Sequence, residues 1–352
     1  MWWGIANFVG EMKIKSDKIF MRRALQLARA GAGHVSPNPM VGAVVVHDGR
    51  IVGEGFHRRW GEGHAEVNAI ASVKDRSLLP SSTVYVTLEP CSHYGKTPPC
   101  AQLLIDHRVA RVVVGTLDPF EKVSGRGVAM LRESGIEVTV GILEEECRKL
   151  NRRFIKAHTA GRPWVLLKWA QSADGFIAPS QGRSALSSPL TTVFMHRERA
   201  LVDAIVVGAR TVAIDDPSLT VRHWSGNSPL RVVLSRRASL PAGSRLLTDG
   251  NPTLVYSQLR NVKEGAVEWV SLDTSQPASW LEDLYRRGVT SVMVEGGANV
   301  LTQLIASGLW DEARIETAPT LLHDGVPAPA ITGQELSKEI HDGREIVTLA
   351  HE

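Results

Sequence analysis

Apolar residues at Ile19, Phe20, Ala24, Leu27 and Ala28 fall on one helical face behind the caps Ser16 and Asp17, and Gly31-Ala32-Gly33 ends the run. A helix over about 17–30 is therefore predicted. Val44-Val45-Val46 then meets Ile51-Val52 across Asp48-Gly49, the sequence of a two-residue hairpin turn. The pattern goes on to alternate: a helix from about His64, a strand over 83–88, a helix from Pro98-Pro99, a strand over 111–115 and a helix over about 128–133. Such βαβα order predicts a mainly parallel sheet faced by helices.

Near Asn151 the periodicity loosens, and Ala157-His158-Thr159-Ala160-Gly161-Arg162-Pro163 reads as a linker of small and turn-forming residues. The expected divisions are an extension at 1–16, a first domain at 17–156, the linker at 157–163 and a second domain at 164–352. Beyond the linker the alternation restarts with an apolar strand at 164–170 and a helix over about 189–202. Strands follow at 204–207, 231–234 and 253–256, then a helix over 278–287 and a strand over 291–295. The apolar opening Met1 to Gly10 is too short to span a bilayer and has no basic segment before it. It reads as a disordered or interface-packed extension, or as sequence upstream of a start at Met12.

Composition narrows the partners. At 352 residues and 43% hydrophobic, the chain can bury two cores. Forty Lys and Arg against thirty-seven Asp and Glu leave a formal charge of +3, which lacks the concentrated basic face of a nucleic-acid groove. Three cysteines make no disulfide framework, and a reducing cytoplasm is the expected compartment.

The chemistry concentrates at His64-Ala65-Glu66, Pro90-Cys91 and Pro98-Pro99-Cys100. One imidazole and two thiols can hold zinc with a fourth position open for water, whose pKa falls from about 15.7 to roughly 7 on the metal. Glu66 is then the proton carrier of a zinc deaminase rather than a ligand. The general pattern spaces its cysteines as C-x-x-C, whereas eight residues separate Cys91 from Cys100. Buried structural thiols are the competing reading; a closed structural zinc needs a fourth ligand, and only His93 lies between the thiols to offer one. We assign His93 instead to the substrate pocket. Both metal-bearing motifs, at His64 and at Pro98-Pro99-Cys100, fall at helix starts after strands, where unpaired amides favour thiolate.

In the second half, Val292-Met293-Val294-Glu295 runs into Gly296-Gly297-Ala298-Asn299 and an amphipathic stretch. A glycine turn between strand and helix suits a phosphate, although this one lacks the Rossmann fingerprint and a plain tight turn competes with it. Glu295 ends its strand where ligands collect in open sheets. Residues 208–222 read as a long polar connection, and Arg199 and Arg222 could each fork onto a phosphate.

Taken in order, Ser36-Pro37-Asn38-Pro39-Met40-Val41-Gly42, Gly63-His64-Ala65-Glu66 and Glu89-Pro90-Cys91 through Cys100 resemble the bifunctional riboflavin-biosynthesis deaminase/reductases, whose own spacing includes the long cysteine gap. Lys168-Trp169-Ala170, Asp215-Asp216-Pro217 through Arg222 and Val294-Glu295-Gly296-Gly297 resemble the reductase half of that family. The resemblance implies an α/β protein: an N-terminal cytidine-deaminase-like three-layer αβα domain plus a C-terminal dihydrofolate-reductase-like α/β domain. It also implies two steps on a phosphoribosylaminopyrimidine: zinc-dependent removal of the 2-amino group of 2,5-diamino-6-(5-phosphoribosylamino)pyrimidin-4-one, then NADPH-dependent reduction of its ribosyl group to ribityl.

By the same resemblance, Asn38, His57, His93 and Lys96 are expected to contact the first substrate. Ser184, Arg199, Leu219, Arg222 and Glu295 are expected to contact the second, with the cofactor held by Ala170, Thr211, Asp215, Gly297, Ala298 and Asn299. The partner is expected to be this small molecule, with no nucleic acid and no membrane, and the chain to form a homo-oligomer. Two departures stand out. Gly182-Arg183-Ser184-Ala185-Leu186 lacks the family's usual tryptophan, and Asp118-Pro119-Phe120-Glu121 replaces the usual Asp-Pro-Asn-Pro. Two other function classes compete: a nucleic-acid-editing zinc deaminase with an accessory binding domain, and a non-catalytic zinc module fused to a nucleotide sensor.

Overall fold

The computed structural model describes residues 2–94, 98–120, 124–180, 182 and 185–351, with the backbone alone for 2–12. It divides into two compact units, 1–159 and 160–352.

In the first unit α1 (Trp2–Arg29) leads to the hairpin β1 (Gly42–His47) and β2 (Arg50–Phe56), then α2 (Ala65–Ser72), β3 (Thr83–Leu88), α3 (Cys100–Asp106), β4 (Arg111–Thr116), α4 (Arg126–Glu133), β5 (Glu137–Val140), α5 (Glu144–Leu150) and α6 (Arg152–Ala160). The sheet order is β2-β1-β3-β4-β5. Asp48 and Gly49 both take positive φ, 45° and 71°, as the tight hairpin turn requires. That turn is also why the sheet is mixed rather than mainly parallel: β1 pairs antiparallel with both β2 and β3, and only β3, β4 and β5 run parallel.

Side chains alternate across the sheet. Val45, Val84, Val86, Val112 and Val114 pack against Ala69, Leu104 and Leu131 of α2, α3 and α4. Val44, Val46, Tyr85 and Val113 pack against Met21, Ala24 and Cys147 of α1 and α5. These are the three layers expected. A Cβ on Gly55 would lie 2.3 Å from the Ala69 backbone nitrogen, so glycine lets α2 lie directly on β2.

Two expectations are corrected here. The first helix begins at Trp2, not at Ser16-Asp17: no Pro or Gly interrupts residues 11–29, and the helix carries through Gly4 and Gly10, so the opening segment is helical rather than disordered. Asp17 is no cap. Its buried carboxylate accepts Tyr85 Oη at 2.8 Å and both Arg111 Nη atoms at 2.9 and 2.7 Å, tying α1 to the sheet. The expected linker also shrinks: residues 157–160 are the last turn of α6, where Ala157 is fully buried and Thr159 and Ala160 are exposed.

In the second unit the order is β6 (Trp164–Gln171), β7 (Phe176–Pro179), α7 (Pro189–Arg199), β8 (Ala204–Gly208), α8 (Ala209–Asp215), β9 (Leu230–Leu234), α9 (Arg245–Thr248), β10 (Thr253–Ser257), β11 (Val262–Glu264), β12 (Val267–Ser271), α10 (Pro277–Arg286), β13 (Ser291–Val294), α11 (Ala298–Ala306), β14 (Glu312–Thr317), β15 (Gly325–Pro327), β16 (Gln334–His341) and β17 (Arg344–Ala350). A ten-stranded sheet runs β11-β12-β10-β9-β8-β13-β6-β14-β17-β16, parallel from β12 to β14.

Val165, Leu167, Val206 and Val294 face Trp280, Leu281 and Leu301, and Leu166, Ile205, Val207 and Met293 face Val212 and Leu246. The two buried faces explain the near-continuous apolar strands. Residues 208–222 are not one long connection, since α8 occupies 209–215. Among the described residues no helix is long and apolar enough to cross a membrane.

Candidate active sites

His64 is the N-cap residue of α2 and Glu66 is the second residue of that helix; Pro99 caps α3, which makes Cys100 its first residue. Cys91 follows β3, its carbonyl accepts the Ala101 N–H at 3.1 Å, and its sulfur accepts the Cys100 N–H at 3.2 Å. Three short elements thus converge. The Nδ1 of His64 stands 3.6 Å from Cys91 Sγ and 3.4 Å from Cys100 Sγ. The three ligand atoms lie within 4.8 Å of one another, and among the described residues no other group of His, Cys, Asp and Glu could hold a metal. Two soft sulfurs and one imidazole are a donor set that fits zinc with a fourth position open. The neighbouring Cys100 and the His64 ring hold the Cys91 thiol below its ordinary pKa, while Cys100 itself is held up.

Glu66 is 3% exposed. Burial, aided by the negative charge at Cys91, pushes its carboxyl up to about 7. A carboxyl poised near neutrality beside a metal site can both take and give a proton.

Asn38 and His57 come together beside this group. Asn38 Nδ2 donates to His57 Nε2 at 3.2 Å, and His57 Nδ1 donates to the Gly63 carbonyl at 3.2 Å. The His57 ring is 2% exposed and meets the His64 ring edge-on, with centroids 5.4 Å apart. Burial lowers its pKa. His57 is therefore placed to orient Asn38 rather than to face a ligand itself. His93 is exposed and stands outside the metal group, and Lys96 lies outside the described residues.

Sequence reasoning missed Glu89. Its buried carboxylate accepts the backbone N–H groups of Asp118, Gly125 and Val128 at 3.2, 2.9 and 3.2 Å, bracing the β3 end that carries Cys91. The Glu-Pro-Cys tripeptide was its available signal.

The second unit carries a cavity of about 1060 Å³, at the upper end of small-molecule sites. It is lined by Ala170, Thr211, Asp215, Gly297, Ala298 and Asn299, the whole expected cofactor set, together with Glu295. Gly296 and Gly297 take φ of 146° and 77°, conformations that side chains resist, and Thr211 Oγ1 lies 3.5 Å from where a Gly297 Cβ would be. The turn delivers the free amides of α11 to the cavity wall.

Arg199 grips Glu295 through two bonds of 2.7 and 2.6 Å and donates to the Thr220 carbonyl at 3.2 Å. Burial works to raise the Glu295 carboxyl, but the Arg199 charge and hydrogen bonds hold it below its ordinary value. Arg199 is thus committed, whereas of the two arginines Arg222 keeps open donors among the described residues; it is exposed, with one 3.5 Å contact to Thr220 Oγ1. Leu219 is 2% exposed in the core, so its side chain offers no ligand surface. Ser184 lies outside the described residues. Lys168, which also lines the cavity, and His196 on α7 were missed. Lys168 sits in the quoted strand motif, and His196 lies one helical turn before Arg199.

Fold and site together define a zinc-binding nucleobase-type deaminase joined in one chain to a dihydrofolate-reductase-like unit. The cytidine and deoxycytidylate deaminase zinc-binding region matches residues 14–116, and the RibD C-terminal domain matches 163–348. The riboflavin biosynthesis protein RibD of Aquifex aeolicus is 40% identical over 88% of this chain and 89% of its own, and that of Escherichia coli is 37% identical over 87% and 88%.

A crystal structure of the diaminohydroxyphosphoribosylaminopyrimidine deaminase/5-amino-6-(5-phosphoribosylamino)uracil reductase of Thermotoga maritima superposes with a TM-score of 0.88 at 37% identity, covering 96% of this chain and 99% of that one. The chain belongs to the RibD family of bifunctional riboflavin-biosynthesis deaminase/reductases. It is an enzyme with a zinc deaminase unit and a reductase unit, and the nucleic-acid-editing alternative is set aside.

Proposed function

We propose that this chain removes the 2-amino group of 2,5-diamino-6-(5-phosphoribosylamino)pyrimidin-4-one and then reduces the ribosyl group of the resulting uracil to ribityl with NADPH. Deamination is assigned to 17–156 and reduction to 164–352.

His64, Cys91 and Cys100 would hold the zinc, which when bound supplies an acidified water at the ring carbon bearing the amine. Glu66 takes the proton of the attacking water and delivers it to the departing amine nitrogen. Asn38, its amide fixed by His57, turns its Oδ1 to the N–H edge of the ring, and His93 and Lys96 serve the substrate's outer groups.

NADPH, when bound, supplies hydride for the sugar C1′. Ala170, Thr211 and Asp215 line its groove, and the amides at Gly297, Ala298 and Asn299 meet its phosphates. Glu295, kept ionised by Arg199, favours positive charge developing at C1′. Arg222 takes the substrate phosphate, Leu219 contributes backbone only, and Ser184 completes the pocket.

The observation that carries the reading is the convergence of three ligand atoms within 4.8 Å of one another, with the buried Glu66 in the first turn of the helix that His64 caps. Its test supplies the diaminopyrimidine ribotide with and without NADPH, following ammonia and NADPH separately. Ammonia is expected without NADPH; no ammonia from zinc-loaded protein would overturn the deaminase assignment.

We place the protein in the cytoplasm, since its three thiols are free and two serve the metal. We also infer a homo-oligomer: β16 ends the sheet, with Leu336 and Ile340 52% and 72% exposed along it. Light scattering that returns the monomer mass would refute this.

A further inference from the structure

The loop carrying Arg222 is held at two points by one helix, and the two bonds run in opposite directions. Arg199 Nη1 on α7 donates to the Thr220 carbonyl at 3.2 Å. One turn earlier on the same helix, His196 Nδ1 accepts the Arg222 backbone N–H at 3.0 Å. A ring nitrogen that accepts carries no proton, so the proton sits on Nε2. His196 is fully buried, and its Nε2 has no hydrogen-bond partner. An unpartnered buried donor is a cost that a packing residue would not carry. A leucine would fill the space without it.

The surroundings keep the ring able to accept. Burial, then Arg199, Arg222 and His223, push His196 down to about 4 against the opposing pull of Glu295. His223 meets it edge-on at 4.7 Å between centroids. Fixing the Arg222 backbone matters because its side chain has no ion pair among the described residues, and Arg199 and Arg245 both repel it. Left unanchored, the loop would let this exposed cation sample many positions, and that freedom would be lost again on binding an anion.

We propose that His196 is a positioning residue of the reductase unit: by accepting the Arg222 N–H through Nδ1, it holds the 220–222 backbone on α7 so that the Arg222 guanidinium stands ready for the phosphate of the substrate. This rests on the assignment of Arg222 as the phosphate contact. His196 itself touches neither substrate nor cofactor, and its effect is confined to recognition of the anionic end.

The test compares His196→Asn with His196→Gln. The asparagine side-chain oxygen overlies Nδ1 and can still accept, whereas the longer glutamine places its amide near Nε2. Reduction is measured with the phosphorylated uracil substrate and with its dephosphorylated nucleoside, alongside NADPH dissociation by fluorescence. His196→Gln is expected to raise KM for the phosphorylated substrate about tenfold, as for a lost supporting hydrogen bond. KM for the nucleoside, kcat and NADPH binding are expected to hold, and His196→Asn to restore the wild-type KM ratio.

Equal behaviour of the two variants, or equal rises for both substrates, would overturn the proposal. If Arg222→Gln abolishes the ratio but His196→Gln leaves it intact, the positioning role alone fails. If Arg222→Gln leaves the ratio intact, the assignment of Arg222 fails and this inference with it.

Discussion

The two units build their chemistry by opposite means. In the first, three side chains of fixed type meet within 4.8 Å at the starts of two short helices, and a buried carboxyl stands against them. In the second, a cavity of about 1060 Å³ is lined by residues of β6, β7, β8 and α8 and by the Gly296-Gly297 turn with the first residues of α11. A metal needs particular donor atoms, so substitution there is intolerable. A dinucleotide needs shape and free amides, which many side chains permit. The first site is therefore chemically brittle and the second geometrically so.

The sharpest way to break this contrast is Glu66→Gln. Loss of a proton carrier should cut ammonia release by roughly 10²–10⁴-fold, while reduction of supplied uracil substrate is unchanged; parallel loss of both activities would show the units are not chemically separate. Cys91→Ala comes next. It should strip zinc, measured by atomic emission, and take ammonia release with it by about 10²-fold or more, as ligand-sphere changes do, with NADPH consumption intact.

In the second unit, Gly297→Ala forces a side chain into φ of 77°, a strain of roughly 1–2 kcal/mol. NADPH binding should weaken about tenfold in a fluorescence titration. A variant that binds normally would mean that the turn is not held to its shape by function.

The smallest effect concerns pH. His196, held down to about 4 by burial and by its cationic neighbours, stays neutral when folded and gains a proton below about 6.5 when unfolded. Because the unfolded state binds the proton first, stability contributed here is full above about 6.5 and declines as pH falls toward 4. Denaturant melts of wild type should weaken across that window more than those of His196→Asn, whose side chain does not titrate. Equal slopes would remove His196 from the account.

Much of the first site was legible because its signal is residue type at short range: His64 and Glu66 share one helix start, and each cysteine follows proline. Even there, Glu89 escaped notice, since its role is to accept amides from residues 29 to 39 positions away. In the second unit the six residues expected to hold the cofactor, which line the cavity, could be named only by resemblance; no spacing rule joins Ala170 to Thr211 and Gly297. Arg199 shows the limit most plainly. As sequence it was a second phosphate fork, and only its 2.6 Å bond to Glu295 shows the charge already spent.

The sequence by itself determined strands β1 to β4, β6, β8 to β10 and β13, the hairpin at Asp48-Gly49 and the candidate metal donors, because each depends on local periodicity, local turn geometry or atom type. The tertiary structure alone decided that β1 sits between two antiparallel neighbours, that Asp17 anchors Arg111 instead of capping a helix, and which of two arginines remains free. Those outcomes depend on partners distant in the chain, and a hydrogen bond or ion pair is fixed by the atoms it meets, not by the order in which they were made.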